Sequence, residues 1–187
     1  MANDSRARMV SSAAGLIARC GVSGTSFADV LADSGAPRGS IYHHFPQGKN
    51  QLAADAVRWT SERVLAHQRA GEFSSAADVL DRFIGMWRSV VVGSSGRSGC
   101  VVAGVAVDLA EDEPGAGELR SIARDTFRDW IAVLTEQFAA TGLPPSKARA
   151  VATATLAAME GALILCRAEG GVEPLDAVAS ELRELLA

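Results

Sequence analysis

Lysine is almost missing from this 187-residue chain: Lys49 and Lys147 stand against sixteen arginines, a ratio that coding bias accounts for. Cysteine is scarce as well. Cys20, Cys100 and Cys166 are odd in number and far apart, with no Cys-x-x-Cys pair. That excludes a disulfide framework and predicts reduced, mostly buried thiols in a cytoplasmic protein, a redox-sensing thiol being the lesser alternative. The three histidines, His43, His44 and His67, never fall at His-x-x-x-His or His-Glu-x-x-His spacing, so no metal and no cofactor is expected. The glycine- and serine-rich stretch 93–99 lacks the Gly-Lys-Ser/Thr ending of a phosphate loop. The first residues carry no apolar signal core. The longest apolar run, 148–166, is interrupted by Thr153, Thr155 and Glu160, a poor membrane span. The acidic group Asp108, Glu111, Asp112 and Glu113 reads as a solvated helix end. Nothing assembles a nucleophile, a base and an oxyanion site, so enzymatic function is not expected.

What is present is enough to fold. Hydrophobic residues make up 48% of the chain, ample for a buried core in one large or two small domains. The net charge of −4 is unevenly placed. Residues 1–50 hold Arg6, Arg8, Arg19, Arg38 and Lys49 against Asp4, Asp29 and Asp33, whereas the remainder has 13 basic and 19 acidic residues. The weakly basic end is therefore the end suited to a polyanion, with affinity that falls as salt rises.

Within that end, residues 25–49 read as two short helices around a tight turn. Ser26 is placed to cap the first through the Asp29 amide. Phe27, Val30 and Leu31 share one apolar face. Gly35 stops the helix by taking the left-handed conformation. Pro37 suits the first turn of the next helix, which runs about 38–45 with Ile41 and Phe45 inward. Arg38, Gly39, Ser40, Tyr42 and His43 are left outside, and the helix is too short, polar and aromatic to exist for packing alone. Arginine forks onto guanine or phosphate, glycine admits a close backbone, and hydroxyl and imidazole groups reach phosphates or base edges. Lys49, with the free amides of the following helix, and Thr25 and Ser26, at the start of the bracing helix, are further phosphate-contact candidates. This is the pattern of a helix-turn-helix that enters a groove of double-stranded DNA.

At these residues the chain resembles the TetR family of bacterial transcriptional repressors. The resemblance spans about residues 5–58 and rests on Gly21-Val22-Ser23-Gly24-Thr25-Ser26, Asp29-Val30-Leu31-Ala32, Gly35 through Pro46, and Lys49 followed by Leu52. Tyr42-His43-His44-Phe45 with the downstream lysine is its most specific part. Pro37 replaces a serine-like cap, so no phosphate contact is carried over to it. Gln51 stands where an acidic residue is frequent. The Pro37-Arg38-Gly39-Ser40 and Gln47-Gly48-Lys49 variants, with Gly99-Cys100-Val101-Val102, resemble the branch that contains lincomycin-resistance repressors.

The remainder reads as helices at about 5–20, 51–69, 75–91, 118–140, 144–168 and 173–186. Segment 100–110 is rich in valine and favours a strand by propensity; the helical surroundings and the resemblance favour a buried helix. The expected fold is all-α, with a three-helix DNA-binding domain at 1–48 and a helical effector-binding and dimerisation domain at 49–187.

The resemblance implies an operator-bound homodimer released by a small-molecule effector. On that implication Trp59, Arg63, Phe83, Trp87, Val105, Asp108, Phe127 and Trp130 are pocket candidates, though aromatics on helices also serve as plain core. Ala152, Leu156, Met159, Gly161 and Leu163 are dimer-interface candidates, though the same face suits burial within one subunit. A protein-binding adaptor that has lost operator affinity is the alternative function.

Overall fold

The computed structural model describes residues 2–108 and 115–186, and all regular structure among them is helical. The elements are α1 (Ala2–Cys20), α2 (Phe27–Ser34), α3 (Ser40–His44), α4 (Lys49–Arg69), α5 (Ala76–Ser94), α6 (Val101–Asp108), α7 (Ala116–Ala140), α8 (Pro145–Glu169) and α9 (Glu173–Glu184). Glu111, Asp112 and Glu113 of the expected acidic helix end lie outside the described residues.

Packing divides the chain into two compact units. The first holds Met1–Glu62 and Cys100–Thr126, and the second holds Arg63–Gly99 and Phe127–Ala187. The divisions fall inside α4, between Gly99 and Cys100, and inside α7. A grouping by packing thus joins segment 100–126 to the helix-turn-helix, a partition of another kind from the functional one expected at residue 48.

In the first unit α1 is the hub. Met9, Ala13 and Ile17 recur on its buried face, and α2, α3 and α6 all pack on it. The Ser12 hydroxyl donates to the Asp33 carboxylate at 2.6 Å and pins α2. Segment 101–108 is a helix despite its four valines. Val101, Val102 and Val105 are buried on it, and a Cβ at Gly104 would stand 3.0 Å from the Ile17 carbonyl oxygen. Tertiary packing against α1 decides the conformation that valine propensity would have opposed.

In the second unit α5 packs on α8 and α9, which also pack on each other. Val79, Leu80, Phe83, Ile84 and Trp87 form the buried face of α5, as their 3–4 spacing predicts. Ser75 and Asp78 close a reciprocal cap at its start. Gln68 is fully buried and donates to the Val79 carbonyl and to Gln137 Oε1, while Gln137 donates back to the Gln68 carbonyl. Arg88 forks onto Asp176 at 2.7 and 3.0 Å, and Arg183 reaches Asp81 at 2.7 Å. These bonds tie α5 to α9 around the apolar core.

Candidate nucleic-acid interface

The turn between α2 and α3 is built as its residues require. Ser26 accepts from the Asp29 amide at 3.2 Å and Asp29 accepts from the Ser26 amide at 3.0 Å, a closed capping box. Gly35 ends α2 at φ 64°, ψ 20°, its N–H donating to Leu31. α3 starts at Ser40, two residues later than expected. Pro37 instead heads the turn before it, its carbonyl accepting the Ser40 amide at 2.9 Å and hydroxyl at 2.6 Å. Ile41 and Phe45 are buried. Arg38, Gly39, Tyr42 and His43 are exposed; Ser40 and Lys49 are half-buried. Tyr42 is 69% exposed, yet its ring is fixed edge-on to Phe27, centroids 5.6 Å apart at 79°.

Three of the expected phosphate contacts are otherwise engaged, the Ser40 hydroxyl through its bond to the Pro37 carbonyl. Thr25 is buried and its hydroxyl donates to the Gly21 carbonyl at 2.8 Å, because it closes the loop from α1; its side chain is withdrawn from the surface. Ser26 is exposed, but its hydroxyl donates to Asp29 at 2.6 Å as part of the cap.

A brace not foreseen from the sequence holds α3 in place. Arg6 donates to Asp55 of α4 at 2.6 Å and lies over the Phe45 ring, 5.5 Å from its centroid. One guanidinium thus links α1, the end of α3 and α4. Gln51, the residue that departs from the family pattern, accepts from the Gln47 amide at 3.0 Å and so caps the entry to α4, a role a carboxylate would also fill.

The eight pocket candidates do not gather in one unit. Trp59, Val105 and Asp108 belong to the first, and Arg63, Phe83, Trp87, Phe127 and Trp130 to the second. Trp59 borders a cleft of about 240 Å³ with Arg6, Val10, Asp55 and Arg58. Val105 is core. The Asp108 carboxylate accepts the Ser23 amide at 2.6 Å. Arg63 is exposed on α4. Of the remaining four, Trp87, Phe127 and Trp130 form an aromatic cluster within the second unit. Trp130 lies 5.8 Å from Trp87 and 5.8 Å from Phe127, centroid to centroid. Phe83, Trp87 and Trp130 are buried, and neither the Trp87 nor the Trp130 indole N–H meets an acceptor among the described residues.

The dimer-interface candidates fall on two faces of α8. Ala152, Leu156, Met159 and Leu163 are buried within the chain, on the stripe of α8 that serves the second unit's own core. Only Gly161 is exposed. The solvent-facing stripe is Ala150, Ala154, Ala157, Gly161, Ile164 and Ala168, spaced alternately four and three residues apart. Of the thiols, Cys100 and Cys166 are buried but Cys20 is exposed. Burial pushes the Cys166 thiol up. Among the described residues no three His, Cys, Asp or Glu side chains converge as a metal site would.

Comparison with known proteins settles the family. Residues 10–56 match the model for bacterial regulatory proteins of the tetR family, and residues 76–181 match the transcriptional regulator LmrA/YxaF-like C-terminal domain. The chain belongs to the TetR family of transcriptional regulators. Its C-terminal match is in the branch expected from Pro37-Arg38-Gly39-Ser40 and Gly99-Cys100-Val101-Val102. Over 183 residues the chain is 38% identical to the HTH-type transcriptional regulator Rv0196 of Mycobacterium tuberculosis, covering 97% of this chain and 93% of that protein. It is 30% identical to the HTH-type transcriptional regulator LmrA of Bacillus subtilis, covering 98% and 97%. A TetR-family regulator from Agrobacterium tumefaciens superposes with a TM-score of 0.85 at 25% identity, covering all of both chains. The chain is thus a DNA-binding helix-turn-helix regulator of a family of soluble transcription factors rather than enzymes, and regulators of the TetR family bind operator DNA, typically as dimers.

Proposed function

We propose that this TetR-family regulator is a repressor that binds a palindromic operator as a homodimer and is released by a small-molecule effector, in the cytoplasm. The observation that carries the reading is the short α3. Ile41 and Phe45 anchor it, while Arg38, Gly39, Tyr42 and His43 stay exposed. Arg38 and His43 read base edges or phosphates, Tyr42 and Lys49 hold phosphates, and Gly39 allows close approach. The functional division at residue 48 follows: 1–48 meets DNA, and 49–187 carries the effector and the partner copy.

Support for the partner copy comes from α8. Its exposed stripe is apolar and small, and Ile164 and Leu165 stand 68% and 51% exposed. An apolar groove of about 190 Å³ between Val151, Ala154, Leu182 and Leu185 continues that surface. Two-fold pairing would set the two α3 helices about 34–36 Å apart, one turn of DNA. Support for an effector comes from the Trp87 and Trp130 N–H groups, since a buried donor without an acceptor is costly and a ligand oxygen would relieve it. The effector must favour one of two states of the dimer, or nothing shifts.

The test is selection of binding sites from random double-stranded DNA with the purified full chain. A palindrome with half-sites one helical turn apart is expected, its binding lost in Arg38→Ala and Tyr42→Ala. Failure to enrich any sequence, with the protein folded and dimeric, overturns operator binding and leaves the adaptor function.

A further inference from the structure

Asp108 ends α6, the helix the second unit's chain leads into: Gly99 belongs to the second unit and Cys100–Thr126 to the first. From there its carboxylate reaches 85 residues back in sequence. Ser23 N–H donates to Asp108 Oδ2 at 2.6 Å. The contact is shaped for the loop it meets. Gly21 leaves α1 at φ 74°, and a Cβ there would stand 2.5 Å from Oδ2 and 2.8 Å from Cγ of Asp108. A side chain at 21 would therefore be strained and would also displace the carboxylate. Gly104, one turn earlier on α6, brings the helix backbone against Ile17. The whole of α6 is thus seated on the end of α1.

The loop so held leads directly to the DNA-reading helix. Thr25 donates to the Gly21 carbonyl at 2.8 Å and to the Val22 carbonyl at 3.2 Å through its amide. Ser26 then caps α2, and Phe27, the first residue of α2, supports Tyr42 of α3. Each step is a short, directional contact. Asp29 of α2 holds the Ser26 end of this loop, and Asp108 of α6 holds its Ser23 end.

We infer that Asp108 is the positioning residue through which the placement of α6 sets the angle of α2 and α3, and hence operator spacing. The inference rests on the DNA-binding reading above and adds its regulatory input: an effector that moves α6 withdraws the acceptor from Ser23. The role belongs to the hydrogen bond and its reach. Asp108→Asn keeps an acceptor oxygen in place, Asp108→Ala removes it, and Asp108→Glu keeps the charge but pushes it one methylene too far.

The experiment measures affinity of the full-length dimer for its selected operator and for operators with one base pair added or removed between half-sites. The wild-type measurement stands first, so absence of operator binding is recognised separately from failure of the latch. Asp108→Ala is expected to bind the matched operator about tenfold more weakly, the scale of a lost hydrogen bond. It should also discriminate less against wrong spacings, while Asp108→Asn keeps wild-type affinity and discrimination. Simple loss of stability would lower the active fraction but leave the ratio between spacings unchanged. Should Asp108→Ala fail to fold, Asp108→Glu against Asp108→Asn makes the same comparison. Spacing discrimination unchanged in the Ala and Glu variants, or equal loss in Asn and Ala, overturns the inference.

Discussion

The Phe27 ring meets the Tyr42 ring edge-on, with centroids 5.6 Å apart and planes at 79°. One is the first residue of α2 and the other is on the outer face of α3. Tyr42 is therefore held in place while most of it remains open to solvent, which is what a reading side chain needs.

This contact predicts a graded effect. Phe27→Ala removes the support but leaves the Tyr42 hydroxyl, and an aromatic pair is worth about 0.5–1.5 kcal/mol beyond its area. Operator affinity should fall about three- to tenfold. Tyr42→Ala should cost more affinity and, because that ring is exposed, less thermal stability. Fluorescence anisotropy with operator DNA and a thermal melt for each variant separate the two. Equal affinity loss and equal destabilisation in both would contradict this division.

Arg6 makes a second prediction because it serves Asp55 and Phe45 together. Arg6→Ala should lower stability by about 1–2 kcal/mol, a partly exposed ion pair plus a cation–π contact. Arg6→Lys should recover only part of it, since an ammonium cannot both fork onto the carboxylate and lie flat on the ring. Urea denaturation at low and high salt checks both. Full recovery with lysine would show that charge alone matters.

These contacts also mark the limit of what the residues announced. The capped α2 and its stop at Gly35, the inward Ile41 and Phe45, and the apolar face of α5 all follow local 3–4 spacing and turn chemistry, and all are legible. Segment 101–108 is readable only by its surroundings, because packing against α1 overrides valine. Arg6–Asp55 and Asp108–Ser23 join residues 49 and 85 positions apart, and no local period records such a pairing. α8 shows a different failure. Both its faces carry small or apolar residues at 3–4 spacing, so the pattern alone cannot tell the core stripe from the outward one.

Acid should loosen the helix starts. Hydrogen bonding from the Ser26 side chain and amide holds the Asp29 carboxyl below its ordinary 3.8. The Ser74 amide and the Ser75 hydroxyl do the same for Asp78, and the Arg88 guanidinium for Asp176. A carboxyl whose folded value is depressed binds fewer protons folded than unfolded. Its contribution is complete above the unfolded value and is lost as pH falls through the folded one. Thermal midpoints should therefore hold steady above about pH 5 and drop below about pH 4. The Ser26→Ala/Ser75→Ala double variant should start lower at neutral pH and show a shallower acid fall. An acid slope as steep as wild type in that variant would assign the effect to other groups.

The outward stripe of α8 supplies the last test, because the two faces of one helix should fail differently. A Cβ at Gly161 would meet nothing within 4 Å in the chain. Gly161→Leu should therefore leave the subunit folded, and favour the helix if anything, while wedging apart a partner copy seated on that stripe. Met159 is fully buried on the opposite stripe. Met159→Ala should cost about 2–5 kcal/mol of stability through the cavity it leaves and alter association only through unfolding. Sedimentation equilibrium beside thermal melts distinguishes the pair. A Gly161→Leu chain that still dimerises with wild-type affinity would place the interface elsewhere, and with it the geometry that spaces the two α3 helices on DNA.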